Sequence, residues 1–158
     1  MKNPMYKHDN AIITECANIV TLKKMLEVPP FKDKDMENLY NKLLYCHVVS
    51  ILDTYIGSIT RFQLYQNGEK IKEDKPYQNP EIINNALKEK LNISIEIPIA
   101  LSEATTKRNY IIHRCGIDKY GKKIIIRRSN VRKLYYVLKE FISKINEAKL
   151  CKVADALQ

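Results

Sequence analysis

DKDMENLYNKLLYCHVVSILDTYIGSITRFQLYQNG, residues 33–68, is the stretch whose reading decides the fold. Met36, Leu39, Tyr40, Leu43, Leu44, His47, Ile51, Leu52, Tyr55, Ile56, Ile59 and Phe62 recur at intervals of three and four. That spacing keeps side chains on one face of a helix. Asp33 or Asp35 offers an N-cap and Asn67-Gly68 a stop, so one helix of about eight turns is predicted, the longest of the chain.

Working outward, residues 9–27 place Ile12, Ile13, Cys16, Ile19, Val20 and Leu26 at helical spacing and end at Pro29-Pro30, which predicts an added packing helix. Glu69 to Gln78 is charged and reads as a loop. Asn79-Pro80 is a cap followed by a first-turn proline, opening a short helix through about Leu91. Asn92 to Pro98 alternates Ile93, Ile95 and Ile97 with polar residues, yet a lone strand has no partner, so a connector or extra helical turn is expected. Another helix runs from about Ile99 to Arg114. Ile124-Ile125-Ile126 suggests a small hairpin arm reached through Gly121. Ser129 is the expected cap of a last helix carrying Val131, Leu134, Leu138, Phe141, Ile142 and Ile145.

The result is an all-α bundle of four to five helices with an extra N-terminal one. Residues 1–30 form the extension, 31–150 the domain and 151–158 a tail.

Composition narrows the function. The chain has 158 residues, 45% hydrophobic and 28% charged, the balance of a soluble globular domain. No apolar run approaches the roughly 20 residues of a membrane span, and Met1-Lys2-Asn3-Pro4 leads into no signal-peptide core, so a cytoplasmic protein away from membranes is expected. The net charge of +9 favours a polyanionic partner, with nucleic acid first in line. Cys16, Cys46, Cys115 and Cys151 form no C-x-x-C pair, and His8, His47 and His113 add no zinc spacing, so neither a metal nor a cofactor is expected. The cysteines read as reduced core or interface residues.

Arg108-Asn109-Tyr110-Ile111-Ile112-His113 is the stretch that carries chemistry. It sets a fixed cation suited to phosphate, an amide, and the side chain whose proton is mobile near neutral pH within little more than one helical turn. Asn109 and His113 share a face, whereas Arg108 and His113 lie about 140° apart around the axis. Arg108 therefore either reaches round or serves a second copy of the site. A structural alternative has Arg108 paired with Glu103 or Asp118 and His113 acting as a helix C-terminal cation.

The segment Leu101 to Gly121, with Arg-Asn-x-x-x-His at its centre, resembles the HEPN family of all-helical domains, and the likeness in pattern extends over about residues 35 to 148. The resemblance implies a metal-independent endoribonuclease acting as a toxin or anti-phage effector. Two subunits would pair so that two motifs line one cleft. It implies that Arg108, Asn109 and His113 are catalytic, with His113 moving protons at the ribose 2′-hydroxyl or the leaving 5′-oxygen and Arg108 binding the scissile phosphate. Members paired with a nucleotidyltransferase antitoxin carry Tyr two positions after the His. Cys115 stands there, which favours an unpaired effector or one held by another protein partner. The alternative is a non-catalytic HEPN module for RNA or nucleotide binding or dimerisation.

A basic segment follows, in which Lys119, Lys122, Lys123, Arg127, Arg128 and Arg132 are the expected RNA-binding residues, joined by Lys133 and with Tyr120, Tyr135 and Tyr136 nearby. A solvated surface explains the same charges, and one of Tyr135 and Tyr136 is expected in the core. His47 reads as a core or interface histidine.

Overall fold

The computed structural model describes residues 18–69 and 79–156, the side chains as far as residue 149. The expected helix start at residues 9–17, His8, and residues 70–78 of the expected loop lie outside this range. Five α-helices follow one another: α1 over residues 18–27, α2 Lys34–Gln66, α3 Pro80–Asn85, α4 Ile99–His113 and α5 Arg128–Ala156. A π-helical segment, Ala86–Lys90, extends α3. Among the described residues there is no strand, only a single antiparallel bridge between Ile117 and Lys123. The architecture is an all-α bundle.

Local chemistry sets most boundaries. The Asp33 side chain accepts from the N–H groups of Asp35 and Met36, and Gly68 closes α2 at φ 72°. Asn79 caps α3 with Pro80 in its first turn. The π segment ends before Asn92, itself left-handed at φ 52°. Residues 92–98 form an irregular connector that buries Ile93 and Ile97.

One expectation at α5 is corrected. Ser129 lies inside the helix, exposed; the Asn130 side chain reaches back to the Arg127 N–H instead. The tail expected from residue 151 is helical through Ala156, because no glycine or proline interrupts the chain after Gly121.

α2 is the central element, packed on α4, α5 and the π segment. Leu44, Val48, Leu52, Ile56 and Ile59 meet Leu101 and Ala104 of α4 and Leu134, Leu138, Phe141 and Ile145 of α5 in one buried cluster. The Tyr55 hydroxyl donates to Asn146 Oδ1 across α2 and α5. Among the described residues α2 alone is long and apolar enough to cross a membrane, but 61% of its most apolar window is buried, as in a core helix. Its first half carries more apolar residue than the bundle covers. Met36, Leu39 and Leu43, expected on the inner stripe, are 50%, 51% and 60% exposed.

The described part of α1 buries Leu22 and Leu26 and is tied down at its C-terminal end by residues of α2 and α5. The Tyr40 hydroxyl donates to the Met25 carbonyl, Arg132 to that of Leu26 and Arg128 to that of Val28. Glu37 accepts the Phe31 N–H and holds Arg128 in a two-pronged pair, 3.0 Å from both Nε and Nη2. Asn38 and Asn41 grip the backbone of Ile126, one accepting its N–H and the other donating to its carbonyl. The isoleucine arm is thereby fixed to α2 by side chains rather than by a ladder.

Candidate active site

Arg108 and His113 diverge as their spacing requires. Arg108 is half-buried and turned toward Cys46 of α2; His113 is the last residue of α4 and is exposed. Beyond it the chain turns through two left-handed residues, Cys115 at φ 51° and Gly116 at φ 78°, with the Gly116 N–H closing onto the Tyr110 carbonyl. Lys42 of α2 lies over Gly116, where a Cβ would press on its ammonium.

The partners of Arg108 are few. Its Nη1 donates to Asn109 Oδ1 at 3.3 Å, and its buried Nε has no hydrogen-bond partner. Among the described residues no carboxylate pairs with it. The structural alternative that pairs it with Glu103 or Asp118 is not realised, and the Asp118 carboxylate instead receives the N–H groups of Tyr120 and Lys122 in its own turn. Arg108 is a partly desolvated cation without a counter-ion among the described residues, a state that an anion would relieve.

Lys42 adds to that charge. Burial pushes the Cys46 thiol up, and the positive charges of Arg108 and Lys42 oppose that rise without cancelling it, so Cys46 stays a thiol. Arg114 stacks on the Tyr110 ring, 5.2 Å from its centroid. Lys42 and Arg108 thus both act on Cys46, while His113 and Arg114 stand at the C-terminal end of α4. Asn109 is half-buried and holds Arg108 by its carboxamide oxygen.

Sequence reasoning missed Lys42. It is the sole lysine or arginine between Lys34 and Arg61 in an otherwise apolar helix, a signal available without coordinates. His47 is half-buried, and burial lowers its pKa. Cys115 is exposed rather than a core residue, because the left-handed turn carries it outward.

The six basic residues divide. Lys119, Lys122 and Arg127 are exposed, with Lys119 lying 4.9 Å over the Tyr120 ring. Lys123 makes an exposed pair with Asp35 at 3.1 Å. Arg128 and Arg132 are engaged elsewhere: both bind backbone carbonyls at the end of α1, and Arg128 is also committed to Glu37 and stacked on Tyr40. The partners of these two lie far off in sequence. Tyr135 is buried and Tyr136 exposed, packed edge to face.

Among the described residues no group of His, Cys, Asp and Glu is arranged to hold a metal ion. No protein-family model, curated protein or solved structure matches the chain. The HEPN resemblance rests on Arg108, Asn109 and His113 and on the helical pattern around them.

Proposed function

We propose that this protein is a metal-independent endoribonuclease of the HEPN type. The observation that carries the reading is Arg108: a half-buried guanidinium with no carboxylate among the described residues, an orphaned Nε, and Lys42 near it across Cys46. A phosphodiester supplies the missing negative charge, and its neighbouring 2′-hydroxyl supplies the nucleophile, so the protein needs only to position and to move protons. The 2′-oxygen attacks phosphorus, the bond to the 5′-oxygen breaks, and the products are a 2′,3′-cyclic phosphate and a 5′-hydroxyl. His113 exchanges the protons of that step, Arg108 stabilises the charge on phosphate, and Asn109 holds Arg108 in place.

The divergence of Arg108 and His113 within one chain is answered by a homodimer whose two motifs share a cleft. The uncovered Met36, Leu39 and Leu43 on α2 and the half-exposed Ile112 on α4 support such pairing. The biological role that fits is a cytoplasmic toxin or anti-phage effector restrained by a protein partner. The test is purified protein on mixed RNA. Cleavage should persist in EDTA and fall by at least about 10²-fold in His113→Ala and Arg108→Ala. Chelator-sensitive cleavage, or cleavage that survives His113→Ala in a folded dimer, rejects the mechanism. A dimer in light scattering, weakened by Leu43→Asp, is the expected assembly result.

A further inference from the structure

A cleft of about 380 Å³ opens between α4 and α5 on the side of the isoleucine arm away from Asn38 and Asn41, within the size range of small-molecule sites. Its walls are Ile124, Ile125 and Ile126 together with Leu134, and its polar groups are Tyr45, Glu103, Lys107, Asn130 and Lys133. Tyr45 is the informative one. The residue is 5% exposed overall and lines the cleft; its hydroxyl makes no hydrogen bond among the described residues and keeps contact with solvent.

Glu103 beside it is also without a hydrogen bond or ion pair among the described residues. Burial, reinforced by the charge of Glu103 and, at the alkaline pH where the phenol titrates, by the Cys46 thiolate, pushes the Tyr45 phenol up to about 12, so it is a donor at any physiological pH. Asn130 commits its Oδ1 to the Arg127 N–H, which leaves its amide hydrogens as further donors. The cleft offers several donors, two of them lysines, and one carboxylate, that of Glu103.

We propose that this cleft is a base-recognition subsite that seats a guanine of single-stranded RNA, an assignment that rests on the ribonuclease reading. Of the four bases, guanine alone presents two donors side by side, N1–H and N2–H, that one carboxylate accepts together. Its O6 and N7 then face donors, here the Tyr45 hydroxyl and a lysine. Adenine and cytosine each offer Glu103 one amino group, and uracil offers an imino group flanked by two carbonyls that the carboxylate repels. The isoleucine arm and Leu134 give the planar ring one apolar wall in a cleft whose lining is otherwise polar. Lys107 is the residue before Arg108, so the cleft and the proposed phosphate site occupy the same stretch of α4.

Titration calorimetry with 5′-GMP, 5′-AMP, 5′-CMP and 5′-UMP tests this apart from catalysis. The wild-type protein and His113→Ala should both bind 5′-GMP at least about tenfold more tightly than the other three. Glu103→Gln should erase that preference, and Tyr45→Phe should reduce it. Lys133→Ala should weaken all four nucleotides alike and lower their salt dependence. Glu103 is exposed and Tyr45→Phe removes only an oxygen, so both variants should fold. Equal binding of the four nucleotides, binding of none, or a preference that survives Glu103→Gln overturns the proposal. Discrimination for 5′-GMP in a protein that cuts no RNA upholds the cleft and sinks the cleavage reading; RNA cleavage without base discrimination does the reverse.

Discussion

Arg128 and Arg108 are both half-buried arginines, and their surroundings are opposite. Arg128 has a carboxylate fork, a backbone carbonyl and an aromatic ring. Arg108 has one weak amide bond and an orphaned nitrogen, with another cation for a neighbour. The isoleucine arm repeats the contrast on its two sides. Toward Asn38 and Asn41 its backbone polar groups are met; toward Tyr45 and Glu103 the side chains await a partner. Desolvated polar groups cost free energy unless they are bonded. Satisfied groups explain why the chain holds its shape, and on the proposed reading the unpaired Arg108 is where an anion binds, whereas the orphaned Asn41 Oδ1 and Thr60 Oγ1 are core atoms with no such role.

The largest effect that sharpens the contrast is on stability. Glu37→Ala strands Arg128 and frees the Phe31 N–H, and we expect a loss of about 2–4 kcal/mol, the range for breaking a buried pair discounted for the exposure Glu37 retains. Arg108→Met should cost under about 1 kcal/mol or stabilise, since it removes an unpaired desolvated cation. Urea melts of the two variants check this. A large loss for Arg108→Met would make it a structural arginine like Arg128.

Next in size is the acid dependence of that pair. Burial works to raise the Glu37 carboxyl, but its bonds from the Phe31 N–H, Asn41 and Arg128, with the charge of Arg128, outweigh burial and leave its pKa below the usual value. A carboxyl depressed in the folded state contributes stability in full above the ordinary carboxylate range. That contribution is lost as pH falls through the folded value. The stability gap between the wild-type protein and Glu37→Gln should therefore be constant near neutrality and shrink below about pH 4. A constant gap down to acid unfolding would show that the charge of Glu37 contributes nothing.

The smallest effect concerns the surface. Replacing Lys119, Lys122 and Arg127 with Glu should weaken RNA binding and lower its salt slope by about 0.7 for each phosphate left without its cation. The same change at Arg128 should act through folding instead. Equal effects at all four positions would erase the division between exposed and structural cations.

How much was legible in the sequence follows the same line. Asp33, Asn67-Gly68 and Asn79-Pro80 mark ends correctly because capping chemistry is local. Ser129 misled because Asn130 competes for the same turn from one residue further on. The site was legible in part: the angular spacing of Arg108 and His113 on one helix follows from periodicity alone. That Arg128 belongs to Glu37, 91 residues away, does not, and neither does Tyr45 opening into a cleft, since an aromatic at helical spacing reads as core. Long-range partners are written in the packing of α2 against α5, not in any local pattern.

The most direct test of the central claim is the chemistry of the cut end. A short RNA incubated with the protein in EDTA should yield 2′,3′-cyclic phosphate and 5′-hydroxyl ends by mass spectrometry, and one 2′-deoxyribose at the cut site should abolish cleavage there. Products ending in 3′-hydroxyl and 5′-phosphate, or undiminished cutting at the deoxy position, would contradict it.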